Sequence, residues 1–162
     1  MSSAATSRRP SPAPPDRAVD TFVRRFLQGS LASLGLGVTL GLAMAIEPRW
    51  VVYRPAHAHL NVLGFVTFMI YGVAYHVIPR FTGRVLHSRR LAWVHLWSSV
   101  AGLGGMVAGF LLLPSGAGIG RMVLATGGLL SAVGAYAFIY NVGRTLGAAS
   151  APVALSAGKP MR

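Results

Sequence analysis

Four long apolar runs set the limits on what this chain can fold into. They cover about Phe26–Ile46, Ala56–Ile78, Leu91–Leu113 and Gly120–Val142. Each is long enough to cross the ~30 Å hydrocarbon core of a bilayer as a helix. Inside lipid every backbone N–H and C=O must find its partner within the segment, so such runs fold as helices. The expected fold is all-α: a polytopic membrane protein built as a four-transmembrane-helix bundle. Only 11% of the 162 residues are charged, under half of the ~25% usual in soluble domains.

The connecting segments are short. Residues 1–25 carry Pro10, Pro12, Pro14 and Pro15 among Ser, Ala and Arg. That composition buries too little apolar surface to offset chain entropy, so a disordered basic tail is expected, with a helix beginning between Thr21 and Phe26. Residues 143–162 read as a loose C-terminal tail. Ala43-Met44-Ala45 resembles a signal-peptide cleavage site, but the apolar run there exceeds a signal core of ~7–15 residues and reads as a retained anchor. Trp50 and Tyr53 suit an aromatic belt at the headgroups, and Pro79 is expected to stop the second span. Gly37 and Gly41, and Gly102, Gly105 and Gly109, stand at close-packing spacing, for contacts within the bundle or in a homo-oligomer.

Charge orients the bundle. Of the 15 Lys and Arg residues, Arg49, Arg54 and Arg121 lie on one side and the other 12 on the side of the termini and the 80–90 loop. The excess of positive residues predicts both termini and the 80–90 loop in the cytoplasm. It also accounts for the net charge of +12 without nucleic acid, since no soluble module is left to bind one. The expected partners are membrane lipids, and either a second copy of the chain or a larger membrane complex.

The composition narrows the chemistry. With no cysteine, disulfides, thiolate metal sites and iron–sulfur clusters are excluded. The three carboxylates, Asp16, Asp20 and Glu47, offer no pair for acid–base work inside a membrane. Three of the five histidines, His57, His59 and His76, fall in residues 54–79 with Asn61, Tyr71 and Tyr75. Ionisable groups in a membrane span are costly and mark function. His57 and His76 are 19 residues apart, roughly 28 Å at ~1.5 Å per residue, so they define two separate levels.

The outer level holds His57, His59 and Asn61, with Met44 and Met122 at the ends of neighbouring spans. His57 and His59 point about 200° apart around a regular helix. Helical phase favours His57, which shares a stripe with Asn61, Gly64, Phe68, Tyr71 and Tyr75; Gly64 on that stripe would leave room for a flat ligand. Either imidazole ligates a metal or hydrogen-bonds a loop carbonyl at the interface. The inner level holds His76 and His95, either a bis-His haem pair or two interfacial histidines. His87 reads as solvated in the basic loop. Imidazole ligates haem iron and also suits copper.

His59-Leu60-Asn61, then Leu63-Gly64-Phe65, then Tyr71-Gly72-Val73-Ala74-Tyr75-His76-Val77-Ile78-Pro79 resembles the second transmembrane helix of subunit I of the haem–copper oxidase superfamily. It is most like the nitric-oxide-reductase-like members, with their His-x-Asn start and Gly-x-x-Tyr-Tyr-x-x-Pro end. His76 stands where that ending has its second Tyr. The resemblance implies haem b as cofactor and puts axial ligation on His59, with Asn61 or Arg54 at a propionate. Met122, Met44, His57 or a His of another subunit is left as second ligand. His59 ranks above His57 if the helix is not yet regular before Ala58.

The family's copper-binding histidines lie on later helices, so a complete oxygen or nitric-oxide reductase is not expected of this chain. The expectation is a haem b-binding, subunit I-like membrane protein in electron transfer or diatomic-gas binding. The alternative is a non-enzymatic copper- or haem-handling or sensing accessory of a respiratory complex, using His57, His59, Met44 and Met122.

Overall fold

The computed structural model describes residues 19–116 and 118–147. Among these, four helices are long and apolar enough to cross a membrane. Helix α1 is Thr21–Ile46. Helix α2 is one continuous run, Pro48–Thr82. Helix α3 is Arg89–Leu112, prolonged by a 3-10 turn over Leu113–Ser115. Helix α4 is Gly118–Gly147. The protein is an all-α membrane protein, as expected.

The helices outrun the apolar stretches. Residues 21–25, the basic stretch where a helix was expected to begin, are helical, and α4 continues past Val142 to Gly147. The remaining parts of both expected tails, residues 1–18 and 148–162, lie outside the described residues. Pro79 does not stop α2, which runs on to Thr82. Proline removes one backbone donor, here the one that would have bonded the Tyr75 carbonyl, and the helix carries that single loss for three more residues. The stop is Gly83, at φ 64, a left-handed conformation that glycine adopts without a Cβ clash. The Arg84 N–H donates back to the Pro79 carbonyl at 3.0 Å.

Close backbone approach holds α3 to α4. A Cβ placed on Gly109 would lie 2.7 Å from the Leu124 Cα, one on Gly105 3.0 Å from the Gly127 Cα, and one on Gly102 2.5 Å from the Ser131 nitrogen. The glycines of the third span therefore pack inside the bundle. Gly37 and Gly41 do the same in α1, receiving the side chains of Asn61 and His57 from α2. Further along, Phe26 meets Phe68 edge-on at 5.6 Å and Phe22 meets Tyr75 at 5.4 Å.

Polar groups fix the end where α3 begins. Asn141 of α4 is fully buried; its Oδ1 accepts from the Ser88 N–H and its Nδ2 donates to the Ser88 carbonyl, both at 2.9 Å. The Ser88 hydroxyl in turn caps α3 by accepting from the Leu91 N–H at 3.2 Å, the usual role of an N-cap serine. Asp20 at the start of α1 pairs with Arg89 at 2.6 Å. The outside is apolar, with Leu31, Leu36, Leu42, Val62, Ile70 and Leu129 all exposed, while Ser30, Ser33, Ser99 and Thr145 are buried. That is the distribution a lipid solvent selects.

A Cβ on Gly127 would overlap the Met106 backbone nitrogen, whereas one on Gly104 meets nothing within 4 Å. Gly127→Ala is expected to destabilise the bundle by about 1–3 kcal/mol through overpacking. Gly104→Ala should be neutral or stabilise by up to ~1 kcal/mol through helix propensity. Unfolding of both variants in detergent, followed by circular dichroism, measures the difference.

Candidate functional site

Helix α2 is not a uniform α-helix. It passes through a 3-10 segment at Pro48–Tyr53, an α-segment at Arg54–His59, a π-segment at Leu60–Thr67 and a second α-segment at Phe68–Thr82. The buried positions Ala56, Leu60, Gly64, Phe68 and Gly72 come every four residues. On a regular helix that spacing would drift by about 40° per step; the wider π turn keeps them on one face. Side chains fill in around the altered backbone. Thr67 Oγ1 donates to the Val62 carbonyl and Ser30 Oγ, from α1, to the Phe65 carbonyl, both at 2.8 Å. π-segments of this kind are frequent at functional sites.

The helix is regular from Arg54, so it is already formed at His57, contrary to the fraying on which His59 was ranked first. The two imidazoles meet different neighbours. His57 Nδ1–H donates to the Gly37 carbonyl of α1 at 2.8 Å, and the ring lies over Gly41, where a Cβ would come within 2.8 Å of Cε1. Asn61 Nδ2 donates to the His57 carbonyl at 2.9 Å. Gly64 offers no room for a flat ligand in this packing, because Ser33 and Leu103 occupy the space.

His59 lies on a cleft. Its Nδ1–H donates to the Pro55 carbonyl at 2.8 Å. A carbonyl can only accept, so the proton sits on Nδ1 and the Nε2 lone pair is free. The cleft, about 510 Å³, is lined by Ala58, His59, Val62, Leu63, Met106, Gly128 and Ser131. Phe110 stands 4.8 Å from the His59 ring, and Ser131 Oγ lies 3.6 Å from the Met106 sulfur. Met106, Phe110 and Ser131 were missed in the sequence, which pointed instead to Met44 and Met122. Met122 lines a different cavity.

The inner level is separate. His95 is fully buried among Tyr71 at 4.4 Å, Phe26 at 4.7 Å and Phe138 at 5.3 Å. Its Nδ1 is 3.0 Å from the Tyr75 hydroxyl, and its Nε2 is buried without a partner. His76 is not brought to His95. Arg80 Nη1 donates to the His76 Nδ1 at 2.9 Å, which fixes the ring proton on Nε2. His87 is exposed, its ring edge-on to Tyr140 at 5.8 Å. Among the described residues no three His, Asp or Glu side chains converge on one metal position. At the far loop, the Arg49 guanidinium and then the Arg49 N–H hold the Glu47 carboxyl below its ordinary range.

The sequence model of the family "Cytochrome C and Quinol oxidase polypeptide I" matches residues 49–150. The chain belongs to this family. The subunit I match covers α2, α3 and α4 with all five histidines, while α1 lies before it. The chain is also similar to the Cbb3-type cytochrome c oxidase subunit CcoN1 of Stutzerimonas stutzeri, 33% identical over 86 residues. That stretch is 49% of this chain and 18% of the relative, so the chain spans under a fifth of the length of the curated protein it matches.

Tyr75→Phe leaves the His95 Nδ1 buried without a hydrogen bond and is expected to cost about 1–3 kcal/mol. Adding His95→Leu removes the stranded group, so the double variant should be more stable than the sum of the two single effects by at least ~0.5 kcal/mol. Unfolding free energies of the four proteins close the cycle; strict additivity would mean the pair is not coupled.

Proposed function

We propose that this subunit I-like membrane protein binds haem b, with His59 Nε2 as an axial ligand, and serves in electron transfer. The observation that carries the reading is the tautomer and setting of His59. Its Nδ1–H is tied to the Pro55 carbonyl, and its Nε2 is left as the donor on a largely apolar cleft of about 510 Å³. A second-shell carbonyl on the far ring nitrogen is how ligating histidines are commonly oriented, and the cleft volume lies within the ~300–1,000 Å³ of ligand sites. The residues present therefore fit a haem.

Met106 supplies a thioether to the same cleft, and His with Met is a known axial pair of electron-carrying haems. Met106 thus favours electron transfer over gas binding and replaces Met44 and Met122 as the second ligand in this reading. Bound there, haem would supply a one-electron carrier. The chain's own part is to orient the imidazole, keep water from the iron through Phe110, Val62 and Leu63, and seal α1 against α2 through His57 and Asn61. His95, His76 and Tyr71 stand outside this site. The site belongs to a membrane-embedded respiratory assembly, in a bacterial-type inner membrane, with both termini cytoplasmic.

Protein produced in a haem-sufficient host should show a Soret band and reduced-minus-oxidised bands of haem b. His59→Ala should abolish them, and His57→Ala should keep them. Met106→Leu should shift the bands and open the reduced protein to carbon monoxide, which the parent should not bind. Loss in His57→Ala with retention in His59→Ala would transfer ligation to His57. A colourless parent would overturn haem binding, and copper uptake by that protein would favour the accessory reading. A reporter that fluoresces only in the cytoplasm, fused after Arg162, should be bright.

A further inference from the structure

A second cavity lies at the opposite end of the bundle from His59. It measures about 480 Å³ and is lined by Arg84, Val85, Leu86, His87, Arg144 and Thr145. One wall is the turn between α2 and α3; the other is the last turn of α4. The turn is held in place. Gly83 fixes its start, the Arg84 N–H is bonded to the Pro79 carbonyl, and the His87 N–H donates to Thr145 Oγ1 at 3.1 Å. Ser88 is gripped on both sides by Asn141. The backbone of the turn is therefore held against α4 by Thr145 and Asn141, which preforms the cavity.

Its charge is uncompensated among the described residues. The two ion pairs among the described residues use Arg49 with Glu47 and Arg89 with Asp20. Asp20 is thus already engaged, and neither Arg84 nor Arg144 has a carboxylate partner among the described residues. Arg80 and Arg90 add two more cations on the same level. Two guanidinia and an imidazole around one opening fit a phosphate oxygen cluster. Val85, 90% exposed, and Leu86 stand beside them at the membrane surface. A free phosphate has no use for that apolar margin; a phospholipid places its glycerol and acyl carbons there.

We propose that this cavity is a binding site for the phosphodiester headgroup of an anionic membrane phospholipid. Arg84 and Arg144 take the phosphate, His87 donates from the rim, and Val85 and Leu86 meet the acyl side. Basic pockets between transmembrane helices are where such headgroups are held. The site is independent of haem and of His59.

The full chain, in mild detergent, is titrated with phosphatidylglycerol, with phosphatidylcholine and with inorganic phosphate, and bound lipid is read by native mass spectrometry. Phosphatidylglycerol should be retained over phosphatidylcholine. Affinity should fall roughly fivefold for Arg84→Gln or Arg144→Gln alone and about thirtyfold for both. Arg84→Lys/Arg144→Lys, which keeps the charge, should lose less than the Gln pair, and Arg121→Gln at the far end should bind as the parent does. If the double Gln variant misfolds by circular dichroism, the single variants carry the test. Equal retention of the two lipids, an equal loss in Arg121→Gln, or single variants that bind as the parent does would overturn the proposal. So would inorganic phosphate competing as well as the lipid, which would mark a free-anion site.

Discussion

Backbone-to-backbone contact between α3 and α4 is what the rest of the bundle leans on. In lipid an apolar side chain gains little by exchanging an acyl chain for another side chain, so association depends on close packing and hydrogen bonds. Gly102, Gly105 and Gly109 bring α3 against Leu124, Gly127 and Ser131 of α4. Asn141 then sets the register of the pair by holding both polar groups of Ser88. A fully buried amide is expensive unless every polar atom is used, and here its donor and its acceptor are both engaged.

Against that pair, α2 presents two faces. One is sealed to α1 by His57, Asn61, Gly64 and Phe68; the other turns His59 toward α3 and α4. Both imidazoles give their Nδ1 proton to a backbone carbonyl, yet the consequences differ. The carbonyl that His57 uses belongs to another helix, so the bond joins two spans. The carbonyl that His59 uses belongs to its own helix, so the bond aims the ring and leaves its other nitrogen to the cleft. The π-segment that follows lets the sealed face continue without a twist.

The spans and the membrane class were legible because hydrophobic length is a strong signal, and the glycine seam was legible because its spacing is regular. The helix ends were not. Nothing in a hydropathy run marks that Gly143 to Gly147 would be helical. Pro79 reads as a stop from its missing donor, whereas the end is set four residues later by the left-handed conformation of Gly83. The π-segment has no composition of its own; Gly64 and Thr67 read equally well in an α-helix. Asn61 and His59 were picked out correctly as polar members of an apolar span. Met106 was passed over because Met44 and Met122 sat nearer the span ends, and end position is a poor guide to depth when helices extend beyond the apolar run.

The subunit I match begins at residue 49, yet several partners of the matched helices come from before it. Gly37 provides the carbonyl for His57, Ser30 the hydroxyl for the Phe65 carbonyl, and Phe26 one wall around His95. The matched portion is thus finished by a helix that lies before the matched residues. Transplanting residues 49–150 onto a different leading helix would create a chimera with an unsatisfied imidazole at His57 and a breach beside the buried His95, so the first helix and the three that follow are one packing unit.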